Sequence, residues 1–233
     1  MIVAIHQPNY IPWIGYFYKI ARSDIFVLMD NVQFPRGRSF CYRNRIKTSN
    51  GAVWLSVPIS RSKIDLKTNI CDVRIDNAGN WQKRHWKTLI SNYSKTAYFK
   101  DYKDIFEDIF CNRWENLADL NETLIKRVIE ILGISRLKLF RMSQLGIKGK
   151  ATSLLVDICK KVGGHVYISG ASGRRYIEEG LFNREGIVLK YSDFIHPQYK
   201  QLWGDFIPNL SILDLIFNEG SNSLNIILST QPQ

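Results

Sequence analysis

The sequence has no CxxC pair, no HxxxH pair and no run near the roughly 18 apolar residues that a membrane span needs. Its four cysteines, Cys41, Cys71, Cys111 and Cys159, stand alone, and its four histidines, His6, His85, His165 and His196, are scattered. Dithiol redox centres and zinc ribbons have no support, no metal site is expected, and no membrane insertion is expected. Met1-Ile2-Val3-Ala4-Ile5-His6 lacks the basic start and the apolar length of a secretion signal. A cytoplasmic chain with free thiols is the expectation. Acidic residues are also scarce: 21 Asp and Glu face 32 Lys and Arg, a net charge of +11. The excess is local. Nine basic residues lie between Pro35 and Ile75, opposed only by Asp65 and Asp72. Charge of this kind bears on partners rather than fold.

What is present is a core. The chain has 233 residues, 45% hydrophobic, enough for a single domain with an insertion. Ile2-Val3-Ala4-Ile5 and Ile25-Phe26-Val27-Leu28-Met29 are unbroken apolar runs, as in strands covered on both faces. A helix from about Trp13 to Ala21 between them makes a βαβ unit. The segment from about 35 to 76 reads as a basic β-rich insertion. Asn50-Gly51 is its hairpin signal, and a further strand is expected around Ile70–Ile75. Residues from about 80 to 132 read as helical. A strand at Leu137–Met142, a helix at Thr152–Val162 and strands at His165–Ser169 and Ile187–Leu189 follow. Ser211-Ile212-Leu213-Asp214 resembles a capping box opening a last helix. Residues 221–233 read as a frayed tail. The fold class expected is α/β: an open parallel-stranded sheet, Rossmann-like or nucleotidyltransferase-like, with the insertion and a helical segment, all within residues 1–220.

In open parallel sheets ligands bind at the carboxyl ends of strands. Three such ends carry polar or glycine-rich loops, after residues 5, 29 and 168. If the strands are parallel, these loops converge. His6 is then the candidate general acid or base, against the alternative of a buried histidine bonding a carbonyl. Asp30 either orients His6, binds a ligand hydroxyl or caps a turn. Gln7, Asn9, Tyr10, Trp13 and Tyr16 are candidate substrate contacts, the aromatics by stacking. Ser169, Gly170, Ser172, Gly173, Arg174 and Arg175 offer small residues, amides and guanidinium groups suited to phosphate or an oxyanion. Arg43-Asn44-Arg45 puts two arginines on one strand face, where they could clamp a pyrophosphate.

The stretches His6–Phe17, Asp30–Phe34, Asn44–Lys47, His85–Lys87, Tyr167–Arg174 and Pro208–Leu215 together resemble the WbqC-like protein family of bacteria. The likeness spans nearly the whole chain, and the opening motif is its most specific part. Phe40-Cys41-Tyr42-Arg43 departs from it, standing where a more polar stretch is expected. Members of the family occur in gene clusters for surface polysaccharides such as O-antigen and capsule. The resemblance therefore implies work on a nucleotide-linked or lipid-linked sugar. At fold level the opening also resembles nucleotidyltransferases. Trp13-Ile14-Gly15-Tyr16 stands where HxGH would be, so that ATP chemistry is not implied.

The leading expectation is an enzyme that transfers an acyl or aminoacyl group to an amine of a nucleotide sugar, with acyl-CoA or ATP open as co-substrate and no cofactor assigned with certainty. Two alternatives remain: a nucleic-acid-binding module, favoured by the charge and the Arg36–Lys47 stretch but lacking any RRM, KH or helix-turn-helix signature, and a non-catalytic scaffold of glycan assembly. On balance no nucleic acid is expected as partner. The sequence carries no signal of oligomeric state.

Overall fold

The computed structural model of the chain describes residues 1–229. Strand β1 (Ile2–His6) lies at the middle of a five-stranded sheet, with β2 (Ile25–Leu28) on one side and β6 (Val166–Ser169) on the other. Beyond them lie β5 (Lys138–Arg141) and β7 (Val188–Tyr191), giving the order β5-β2-β1-β6-β7. All four pairings are parallel. Register places Ala4 beside Phe26 and Ile168, and Val3 beside Ile25 and Tyr167.

The unbroken apolarity of β1 and β2 follows from this placement. Ala4, Phe26 and Leu28 enter one core; Val3, Ile5, Ile25 and Val27 enter a second on the opposite face. The first core takes in α1 (Ile14–Ala21), α2 (Trp81–Tyr93), α3 (Phe99–Cys111), α4 (Leu117–Ile131) and α7 (Ile212–Glu219). The second takes in α5 (Ala151–Lys161) and α6 (Glu179–Arg184). Fully buried side chains such as Phe17, Ile20 and Ile158 each contribute roughly 1.5–3 kcal/mol. The mixed α/β architecture expected from the sequence is the one observed.

Several local expectations are corrected. The insertion holds one antiparallel pair, β3 (Arg43–Thr48) and β4 (Gly51–Ser56). Its turn is Ser49-Asn50: Thr48 pairs with Gly51, which takes φ +98 as the first residue of β4. No strand forms at 70–75. Ile70–Asp72 is a 3-10 turn, and isolated bridges Gln33–Asn69, Ile59–Ile75 and Arg74–Asn116 tie this stretch to its surroundings. Ser211 accepts from Leu213 N, but Asp214 does not complete a capping box. Its carboxylate is buried and accepts from Tyr93 and Tyr199. The segment after residue 220 is not frayed: α8 (Ser223–Leu228) buries Ser223 and Ile227. The remainder of that predicted tail, 230–233, lies outside the described residues. Among the described residues no helix is long and apolar enough to cross a membrane.

Candidate functional site

Strand order reverses at β1. The chain goes outward to β2 and β5, then returns to the other flank for β6 and β7. A crevice at such a reversal, outside the carboxyl ends of the strands, is where open α/β sheets bind ligands. A cavity of about 290 Å³ occupies this position. His6 and Gln7 reach it from β1, Met29 from β2, and Ser169, Gly170 and Ser172 from β6. The three strand ends therefore do meet. Lys19 of α1, Tyr167 of β6 and Tyr176 complete the polar lining. A second chamber of about 610 Å³ shares Met29, Leu155 and Tyr176 with the first. Asn31, Gln33 and Asn69 line it with Lys67 and Lys150, the last at the start of α5. Both volumes fall near the range of small-molecule sites.

The His6 ring is fixed from two sides. Its Nδ1 lies 3.0 Å from the Gln7 carbonyl, and the ring meets Tyr16 edge-on at 4.9 Å. A carbonyl only accepts, so Nδ1 carries the hydrogen and Nε2 is left as an acceptor. Tyr16 donates its hydroxyl to the same carbonyl at 3.2 Å. Burial, with Lys19 nearby, pushes the imidazole down to about 3. At neutral pH His6 is an uncharged acceptor and too weak a base to hold a proton.

Asp30 does not orient His6. It is buried at the end of β2, where Ser143 N and Ser143 Oγ donate to its two oxygens at 2.9 and 2.7 Å. Asn9 and Tyr10 are buried as well, so they shape the loop rather than face a ligand. Tyr10 donates its hydroxyl to His85 Nδ1 at 2.8 Å. Asn44, also buried, donates to the Ile11 carbonyl at 2.8 Å. Ile11 has φ +36, a conformation that a β-branched residue rarely adopts, and Asn44 is one of the groups that hold it. Trp13 lies edge-on to Phe194 at 5.5 Å.

The arginines are also elsewhere. Arg43 and Arg45 sit over Trp54, with Cζ 3.9 and 5.8 Å from the ring centre, and line neither chamber. Arg174 covers Tyr191 and lies 3.6 Å from Asp193, and Arg175 is exposed. Gly173 N is spent on the Gly170 carbonyl and cannot serve an oxyanion. Cys41 is buried, its thiol pushed up to about 11 by burial, and its Sγ lies 3.6 Å from Gln7 Oε1. It is a protonated packing group. Among the described residues no cluster of three or more His, Cys, Asp or Glu side chains could hold a metal ion.

The model of the WbqC-like protein family matches residues 7–226 of this chain. The chain belongs to that family. It is also 38% identical over 223 residues to "Uncharacterized protein Rv1507c" of Mycobacterium tuberculosis (strain ATCC 25618 / H37Rv), covering 95% of each chain. The stretches that carry the WbqC-like resemblance now have places. Of residues 6–17, His6 and Gln7 line the inner chamber while the rest lead into and form the start of α1, and Tyr167, Ser169, Gly170 and Ser172 line its other wall. Pro208–Leu215 lie outside it and fasten the hairpin: Ser211 N bonds the Arg45 carbonyl, and Ile212 N bonds the Pro12 carbonyl.

Reasoning from the sequence does not find Lys19. It is 5% exposed, lines the inner chamber, and donates to the Ile5 carbonyl at 3.3 Å. Burial lowers its amine to about 7. The one signal in the sequence is its position as the single charged residue of the α1 sequence IGYFYKIA.

Proposed function

We propose that this chain is an enzyme of bacterial surface-polysaccharide assembly that acylates or aminoacylates an amine of a nucleotide-linked sugar. The observation that carries this reading is the paired chamber at the strand-order reversal. The inner chamber is small and polar. It offers the Nε2 acceptor of His6, the hydroxyls of Ser169 and Ser172, and an amine. The outer chamber is larger, with carboxamides, two lysines and an apolar floor of Val32 and Leu154. A bipartite ligand suits this arrangement. The sugar amine and the acyl carbonyl meet in the inner chamber. The diphosphate lies towards Lys67 and Lys150, and Tyr176, 62% exposed at the shared wall, offers a face for sugar or base. Ser172 would donate to the oxyanion as the carbonyl turns tetrahedral, since the Ser169 hydroxyl donates to the Gly170 carbonyl at 3.2 Å.

A thermal-shift series with nucleotide sugars, acyl-CoAs, ATP and free nucleotides tests this. A ligand that binds only the native chain raises the midpoint with its concentration. Nucleotide sugars should stabilise more than the matching free nucleotide. Equal shifts for both would remove the sugar from the reading, and no shift with any nucleotide would remove the reading itself.

A further inference from the structure

We propose that Lys19 is the proton acceptor of the inner chamber, its amine taking the proton released as the sugar nitrogen is acylated. This rests on the acyl-transfer reading of that chamber. Three features of the geometry support it. Lys19 is almost wholly buried, yet its side chain lines the cavity rather than the core. Its amine donates to a main-chain carbonyl, Ile5 O, at 3.3 Å. Among the described residues no carboxylate lies within ion-pair distance of it. A buried ammonium without a carboxylate is unfavourable, so the fold favours the free amine.

The titratable groups facing it come from every wall of the chamber. His6 belongs to β1, Tyr167 to β6 and Tyr176 to the turn beyond β6; Tyr16 shares α1 with Lys19. Burial holds His6 uncharged and keeps the Tyr16 and Tyr167 phenols protonated. These three supply no negative charge that would restore the ammonium. With its amine lowered to about 7, Lys19 gains and loses a proton at ordinary pH, as His6 at about 3 does not.

The step balances with an acyl thioester as donor. The lone pair of the sugar amine forms a bond to the thioester carbonyl carbon, and the carbonyl pair moves onto oxygen. Collapse re-forms the carbonyl and expels the thiolate with the carbon–sulfur pair. The nitrogen's proton passes to Lys19 Nζ and from there to the thiolate. The products are an amide and a free thiol, with Lys19 returned as the amine.

The first arm of the test needs no known substrate. The folded chain is labelled with trace acetic anhydride between pH 5 and 10, and the acetylation of each lysine is read by mass spectrometry. Lys19 should reach half its full reactivity near pH 7, well below the exposed lysines. A midpoint near pH 10, or no labelling of Lys19 in the folded chain, overturns the proposal. A second arm uses Lys19→Arg, which keeps the charge but cannot release a proton, and Lys19→Met, which confirms folding by its melting curve. Lys19→Arg should hold a nucleotide sugar within a few-fold of the native chain and lose more than a hundredfold in amide formation. Retained turnover overturns the proposal. If Lys19 titrates near pH 7 and no nucleotide sugar binds, the sugar substrate fails while the chamber's base stands. If the sugar binds and Lys19 titrates near pH 10, the base fails alone.

Discussion

Asp30 and Ser143 are joined twice, main-chain nitrogen to Oδ1 and hydroxyl to Oδ2. The pair ties the end of β2 to the turn after β5, directly beside the outer chamber. A charge-assisted bond to a buried carboxylate contributes ~1.5–3 kcal/mol. Ser143→Ala removes one of the two. The melting temperature should fall by roughly 3–12 °C, at about 2–4 °C per kcal/mol for a chain of this size. Affinity for nucleotide sugars, measured below the transition, should change less than twofold. A variant that melts normally but loses turnover would return Asp30 to a chemical role.

Gly173 is fixed by space. A Cβ there would lie 2.1 Å from Ser169 Oγ and 2.9 Å from Ile177 Cδ1. Ser169 belongs to the chamber wall, so Gly173→Ala has to displace a lining hydroxyl. The expected result is a native far-ultraviolet spectrum with ligand affinity reduced at least tenfold. Gly180→Ala is the control. Its methyl meets nothing within 4 Å, and it lies in helix α6, so stability should rise by up to ~1 kcal/mol with binding unchanged.

Two histidines make the fold sensitive to acid. His85, between the Tyr10 hydroxyl and the Ser56 carbonyl, is lowered to about 4 by burial, and His6 to about 3. Unfolded, both take up protons near pH 6.5. Between those limits the unfolded chain binds more protons than the folded one, so stability falls as pH drops from 6.5 towards 3. Urea midpoints at pH 7, 6, 5 and 4 should decrease steadily. His85→Gln keeps polar groups for both partners but has no proton to gain. Its acid limb should be shallower by about one proton, and an unchanged slope would show that His85 does not contribute.

The parallel sheet is legible in the sequence because β1 and β2 are apolar without alternation, and only burial on both faces asks for that. The meeting of the strand ends follows from parallelism alone. The roles of side chains within the loops are not legible in the same way. Asn9, Tyr10 and Asn44 are polar or aromatic residues that serve backbone groups, as Asn44 does at Ile11, and nothing in the residue type separates that service from ligand binding. The hairpin arginines pack on Trp54, a cross-strand relation set by the Arg45–Trp54 register, which a turn shifted by one residue would alter. Lys19 escapes because the apolar residues around it satisfy the helical period and its own charge reads as a solvated position. Desolvation of a single amine leaves no mark on periodicity.

That desolvation makes a last prediction about stability. The Lys19 amine titrates at about 7 in the fold and near 10.5 when unfolded. Between these values the unfolded chain holds the extra proton, so stability rises with pH across the window. Below pH 7 both states are protonated and the full cost of burying the ammonium is present. That cost is on the order of several kcal/mol, at about 1.4 kcal/mol for each pH unit that separates the two titrations. Lys19→Met keeps the length of the side chain and removes the charge. It should therefore stabilise the chain most at pH 6, progressively less from pH 7 upward, and hardly at all near pH 10.5. Urea unfolding of both proteins across that range reads the difference directly, and a gain independent of pH would mean that the native ammonium is solvated and that the chamber is wetter than its lining implies.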